Sequence, residues 1–272
     1  MSTTSSPVAL CRSLSRHWEL ITRLTQRDVI GRYRGSILGV VWSLVTPILL
    51  LVVYTFVFSV VFNARWDTGE TQSRTAFAMA LFVGLIVHGF FAECVNRAPA
   101  LILDNANYVK KVVFPLEILP VTLLGAALFH ACISIVVLLA GLLVVNGGLP
   151  VTVISLPVVI LPLAIVTLGL SWLLASIGVY FRDINQAVGI LTMILMFLSP
   201  IFYPLSALPE AYQKYILLNP LTFIIEEARA VLIQGDWPDW RGLGLYVLVS
   251  LPAGWMCFWW FQKTRQGFSD VI

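Results

Sequence analysis

The chain has 272 residues, with 17 Lys+Arg and 14 Asp+Glu, and is 59% hydrophobic; its mean hydropathy is +0.90. Soluble domains carry about 25% charged residues, against 11% here, and a soluble fold of this size has no means of hiding so much apolar surface. These values exclude a soluble enzyme, a nucleic-acid-binding domain, a coiled coil and a disordered chain, and leave an integral membrane protein. The net charge of +3 is too small to argue for nucleic acid or any other polyanion as a partner.

Five long stretches lack charge: 35–64, 75–92, 118–181, 184–209 and 242–262. A helix needs roughly 20 apolar residues to cross the hydrocarbon core. The third stretch is too long for one crossing and contains Asn146-Gly147-Gly148-Leu149-Pro150, a turn signal. Splitting it there predicts an all-α membrane protein with six spans, about 37–62, 75–92, 118–145, 153–181, 184–203 and 243–262. A transmembrane barrel is disfavoured, because its strands alternate and run only ~10 residues. The expected organisation is an N-terminal segment (1–36), a six-span domain (37–262) and a short tail (263–272).

An even number of spans puts both termini on one side. With the termini inside, 12 basic residues face the cytoplasm and 5 face out, while the acidic residues split 7 and 7. That asymmetry predicts cytoplasmic termini. The first apolar run begins near Ile37, behind six arginines, and is too long for a cleaved leader. Cys11, Cys94, Cys132 and Cys257 are scattered without ligand spacing.

Several segments are not spans. Trp18, Ile21, Leu24 and Asp28/Val29 follow helical spacing, with Arg16, Arg23 and Arg27 towards another side; this predicts an amphipathic helix at the membrane surface, with a merely soluble helix as the alternative. The stretch 93–117 holds Lys110 and Lys111 and predicts a short helix followed by an X-Pro break at Pro115. Its residues alone fit a solvated loop and a docking element equally well. Arg182-Asp183 is the shortest inside turn. The outer stretch 204–240 carries apolar pieces too short to span, broken by Pro204, Pro209 and Pro220, as re-entrant or interfacial segments are. Glu226 and Arg229 stand at i,i+3 on one helix.

The chain has no G-x-x-x-x-G-K-[ST] phosphate loop, no H-E-x-x-H cluster and no G-x-S-x-G elbow. Within the expected spans the only groups of the usual proton-relay set are His88 and His130, which disfavours an ion-driven carrier. The first and fifth spans are rich in aromatics: Trp42, Tyr54, Phe56 and Phe58, then Phe197, Phe202 and Tyr203. Such rings can stack on sugars or simply face lipid.

Several motifs, in order, resemble one known family. Gln26 to Trp42 (QRDVIGRYRGSILGVVW), Thr46-Pro47 and Tyr54 to Phe62 look like the opening of ABC-2 type polysaccharide-export permeases. Lys110 to Pro120 (KKVVFPLEILP) is similar to that family's first coupling region, and Tyr180 to Ile184 to its turn between spans four and five. Ser199 to Pro204 and Asn219 to Arg229 resemble its outer gate. The neighbourhood of Glu226-Glu227 departs from the usual pattern of a single acidic residue, so no separate role is read for each glutamate.

The resemblance implies an N-terminal interface helix (Trp18, Arg27, Asp28, Arg32, Tyr33, Arg34). It implies loops that receive motion from an ATPase (Asn107, Tyr108, Lys110, Lys111, Phe114, Pro115, Glu117, Arg182, Asp183). Trp42, Tyr54, Phe58, Phe197, Phe202 and Tyr203 are channel-lining candidates, and Pro204, Asn219, Pro220, Glu226, Glu227 and Arg229 form the outer gate. It further implies a homodimer in the bacterial inner membrane, working with two copies of a separate ATPase that binds ATP and Mg, since this chain has no nucleotide site or cofactor of its own. The substrate implied is a polysaccharide on a polyprenyl-diphosphate lipid, with O-antigen ahead of capsule or teichoic acid. A lipid-modifying membrane enzyme would need clustered catalytic groups; Glu226, Glu227, Asp236 and Asp239 are the only outer cluster and lack a nucleophile or metal set. A permease for a small hydrophobic cargo is the remaining alternative.

Overall fold

The computed structural model describes residues 6–57, 74–109 and 114–272, and among these the chain is helical without strands. The helices are α1 (Pro7–Arg16), α2 (Trp18–Arg32), α3 (Trp42–Tyr54), α4 (Arg74–Arg97), α5 (Leu101–Asp104), α6 (Ala106–Val109), α7 (Ile118–Asn146), α8 (Leu156–Tyr180), α9 (Ile184–Leu198), α10 (Glu210–Leu217), α11 (Pro220–Arg229), α12 (Trp240–Thr264) and α13 (Phe268–Val271).

Five helical runs are long and apolar enough to cross a membrane: Gly39–Val57, Thr75–Arg97, Ile118–Asn146, Val151–Tyr180 and Trp240–Val271. They correspond to five of the six spans expected from the sequence. The remaining expected span, 184–203, differs. Its helix is α9, only 15 residues long, or about 22 Å at 1.5 Å per residue, short of the ~30 Å hydrocarbon core. It stops because Ser199 is extended (φ −90, ψ 150) ahead of Pro200, as a residue preceding proline tends to be. The expected second span is extended instead: α4 continues past Ala92 and carries Glu93 and Arg97. The last part of the expected first span, with Phe58, lies outside the described residues.

α4 is the axis of the bundle. Two-thirds of its apolar window is buried (67%), against 11% for the first run, and it packs on α7, α8, α9 and α11. α7 ends at Gly147, whose positive φ of 72 closes the helix with its N–H on the Leu143 carbonyl, as left-handed helix caps do; the turn expected over 146–150 is there. α8 lies along α12 and meets it backbone to backbone, a Cβ on Gly169 falling 2.8 Å from Gly254 Cα.

The N-terminal segment folds into two helices, α1 and α2. Ile21, Leu24 and Val29 of α2 are buried, the first two against Ile118 at the start of α7. Trp18, the first residue of α2, is 69% exposed and stands apart from that buried face.

Candidate functional site

Most of the charged residues among those described lie at one end of the bundle. There α1, α2, the end of α4, α5, α6, the start of α7, the end of α8 and the C-terminal residues meet. Asp28 of α2 receives Arg97 of α4, one guanidinium nitrogen lying 2.7 and 2.9 Å from its two carboxylate oxygens. Glu93, one turn before Arg97, lies 3.0 Å from Arg32, 3.0 Å from His130 Nδ1 and 3.5 Å from Arg97. The Tyr33 ring stands edge-on to His130, with centroids 6.0 Å apart. Arg34 is exposed.

The loop between α4 and α7 is held at both described ends. Arg27 donates to Tyr108 Oη at 2.7 Å, and its guanidinium lies 5.7 Å from the Tyr108 ring centroid. That ring stacks on Phe114, centroids 4.2 Å apart and planes 7° apart. Arg265 donates to the Phe114 carbonyl at 3.0 Å and to the Glu117 carboxylate at 2.6 Å. Ser13 donates to the other Glu117 oxygen at 2.9 Å, and Trp172 Nε1 to the Glu117 carbonyl at 3.0 Å. Asn107 is exposed and Pro115 half-buried. Lys110 and Lys111 lie outside the described residues. Within 93–117 the expected single short helix is two four-residue helices, α5 and α6.

Arg182 and Asp183 form the exposed turn into α9. Asn185, just after it, lines a cavity of about 620 Å³ together with Arg27, Arg32, Arg97 and Asn105. Asn185, the second residue of α9, thus shares that space with α2 and the 101–105 stretch.

The opposite end is built from α10, α11 and the 199–207 break. Asn219 caps α11 by accepting from the Leu221 N–H at 3.0 Å, and donates to Ser199 Oγ at 2.9 Å. Pro220 follows as the first helical residue, where its missing N–H costs nothing; its carbonyl accepts from Tyr246 at 2.8 Å. α11 runs into a π-turn, Ala230–Gln234, closed at Gly235 (φ 81); Thr152 donates to the Val231 carbonyl there at 2.7 Å. Pro204 introduces the 3₁₀ turn Leu205–Ala207.

Arg229 is the most deeply buried charged side chain among the described residues, only 1% exposed. Its Nη1 donates to Glu226 at 2.8 Å, its Nε to the Ala80 carbonyl at 2.9 Å and its Nη2 to the Ile201 carbonyl at 3.2 Å. The i,i+3 pair read from the spacing forms, but as an internal fastening. Burial draws the guanidinium down against the pull of Glu226. Glu227 points elsewhere and accepts from the Asp239 N–H at 2.8 Å. Burial pushes its carboxyl up; the Asp239 N–H pulls it partly back, and the charges of Asp239 and Glu226 add to the rise.

The aromatic candidates divide. Phe197 is exposed and stacks on Phe202 at 5.7 Å, and Tyr203 donates to the Phe197 carbonyl at 3.1 Å. Trp42 is 38% exposed, while Tyr54 packs against the core.

Sequence reasoning singled out Glu117, Asp28 and Arg229 but not Ser13, Glu93, Arg97, Trp172 or Arg265. For Glu93 and Arg97 a signal was present: an i,i+4 pair at the edge of an uncharged run. For Trp172 and Arg265 none was. Among the described residues no group of three His, Cys, Asp or Glu is placed to hold a metal ion. Among the described residues the polar geometry fastens elements together at both ends of the bundle.

The description ABC-2 type transporter matches residues 19–233. The chain is 30% identical to the O-antigen export system permease protein RfbA of Myxococcus xanthus, over 97% of this chain and all of that one. It is 28% identical to an RfbA of Klebsiella pneumoniae, over 94% and 95% of the two chains. It is 25% identical to the polysialic acid transport protein KpsM of Escherichia coli, over 86% and 90%. A family match over most of the chain, with collinear relatives of the same length and an all-helical apolar bundle, places the protein: it belongs to the ABC-2 type transporter family.

Proposed function

We propose that this chain is the transmembrane permease of an exporter that moves a polysaccharide, carried on a polyprenyl-diphosphate lipid, from the cytoplasmic to the periplasmic side of the inner membrane. O-antigen is the preferred polymer. ATP hydrolysis in a separate subunit drives the movement; two permease copies pair with two ATPase copies, which supply the site for ATP and Mg. The observation that carries this reading is the end-to-end similarity to the O-antigen permease of M. xanthus. The capsule polysaccharide export inner-membrane protein CtrC of Neisseria meningitidis, 28% identical over 88% of each chain, makes capsule export the second reading.

The charged end then faces the cytoplasm, with the 107–117 segment and the 182–183 turn receiving the ATPase. This fits the 12-to-5 distribution of basic residues. α9 serves as the sixth crossing, completed by the 199–203 break, since it begins beside the charged end at Asn185 and ends at Ser199 beside Asn219. α10 and α11 act as re-entrant helices that close the outer end, and α2 lies along the cytoplasmic interface. The exposed faces of α3 and α9, with Trp42 and Phe197, border the passage.

The test is deletion and reconstitution. Cells lacking the chain should lose surface polysaccharide and accumulate lipid-linked polymer inside, and the purified chain should hydrolyse ATP only together with its ATPase. Hydrolysis by the chain alone, or unchanged surface polymer in the deletion, overturns the reading. For orientation, an impermeant thiol reagent should reach K214C from outside and reach Cys11 only after lysis.

A further inference from the structure

The C-terminal residues are not a loose tail. The helical run of α12 continues through Arg265–Gly267 into α13. Phe268 is fully buried, edge-on to Phe261 at 5.7 Å and near Tyr180 at 6.2 Å. Tyr180 at the end of α8 donates to the Thr264 carbonyl at 3.1 Å. Arg265 is thereby fixed in position, and its two terminal nitrogens reach two different points of one segment: the Glu117 carboxylate and the Phe114 carbonyl.

Glu117 is gripped from the other side as well. Ser13 of α1 takes its second carboxylate oxygen, and Trp172 of α8 takes its carbonyl. The side chain is 11% exposed, so its charge is met by protein more than by water, where a charge-assisted pair is strongest. Three elements far apart in sequence thus converge on the residue at which the 107–117 segment becomes α7. Through Arg27 and Tyr108 the same segment is held at its start.

We propose that Arg265 is a positioning residue for coupling: it holds the end of the ATPase-facing segment rigidly onto α7, α8 and α12, so that force applied to that segment enters the bundle instead of bending the loop. The proposal rests on the reading of 107–117 as the segment that receives the ATPase. Rigid connection is what the geometry supplies, because one guanidinium fixes a side chain and a backbone carbonyl together, which the single point charge of a lysine cannot reproduce.

The experiment uses the full permease with its ATPase in proteoliposomes and measures polymer exported per ATP hydrolysed. R265Q should assemble with the ATPase and keep its hydrolysis, while export per ATP falls about tenfold. R265K should fall about threefold, since it retains the charge but only one of the two contacts. A purely structural role would lower the amount of assembled complex and leave the ratio unchanged. Wild-type export per ATP in both variants overturns the proposal. If R265Q does not reach the membrane, R265K decides: a ratio equal to wild type overturns it. If the wild-type complex itself exports no polysaccharide, the functional reading fails, and amide exchange over residues 114–119 tests Arg265 alone: it should quicken in R265Q, and exchange equal to wild type overturns the positioning role.

Discussion

Arg97 and Asp28 tie the second helix to the central one: a single guanidinium nitrogen sits within 2.9 Å of both carboxylate oxygens, across 69 residues of sequence. The two side chains are 37% and 32% exposed, so water screens the pair and its worth stays within the ~0.2–1 kcal/mol range for such contacts. D28N should barely change the unfolding midpoint. Amide exchange across Trp18–Arg32 should nonetheless quicken several-fold, because few other polar contacts hold that helix to α4. Exchange unchanged in α2 would show that its buried Ile21, Leu24 and Val29 hold it alone.

Arg229 poses the opposite case, a charge with almost no water around it. Removing its counter-charge leaves a buried cation, which costs about 3–5 kcal/mol when both partners are buried. Glu226 is 34% exposed, so water recovers part of that, and E226Q should destabilise by about 1–2 kcal/mol. Thermal unfolding in detergent should show a midpoint lower by several degrees, with E227Q as the comparison that leaves the pair intact.

The neighbouring glutamate should give a pH signature. The Glu227 carboxyl is raised above its ordinary value, so the folded state holds its proton more tightly than the unfolded chain. Its contribution is full below the unfolded pKa and is lost as pH rises through the folded one. Lowering pH from neutrality towards 4.5 should therefore raise the unfolding midpoint of the wild type more than that of E227Q. Parallel pH curves for the two would remove this assignment.

Two glycines should differ sharply on substitution. A Cβ at Gly178 would fall 2.0 Å from the Pro99 carbonyl oxygen, whereas one at Gly189 meets nothing within 4 Å. G178A must push α8 away from the loop after α4, an overpacking cost of roughly 1–3 kcal/mol or more. G189A should be neutral or stabilising, since alanine is the better helix former by about 1 kcal/mol. Yield and midpoint from membranes check both; equal behaviour would contradict the close approach.

The apolar runs predicted the five long helices because each is a local property of continuous sequence. The end of α9 was harder: a run of 26 uncharged residues says nothing about where the backbone turns, and Ser199-Pro200 decided it. The pair Glu226–Arg229 was legible because three residues on a helix is a fixed geometry. Arg265 with Glu117 was not, being 148 residues apart, with no periodicity linking them.

The contact of Gly169 with Gly254 has a mechanical consequence. With no side chain between the two backbones, α8 and α12 lie closer than a Cβ at Gly169 would allow, and G169A would wedge the pair apart at that point. The pair touches the Glu117 segment through Trp172 and Arg265 and, through Thr152 just before α8, the π-turn after α11. A wedge at the crossing would therefore strain contacts at both ends of the bundle at once.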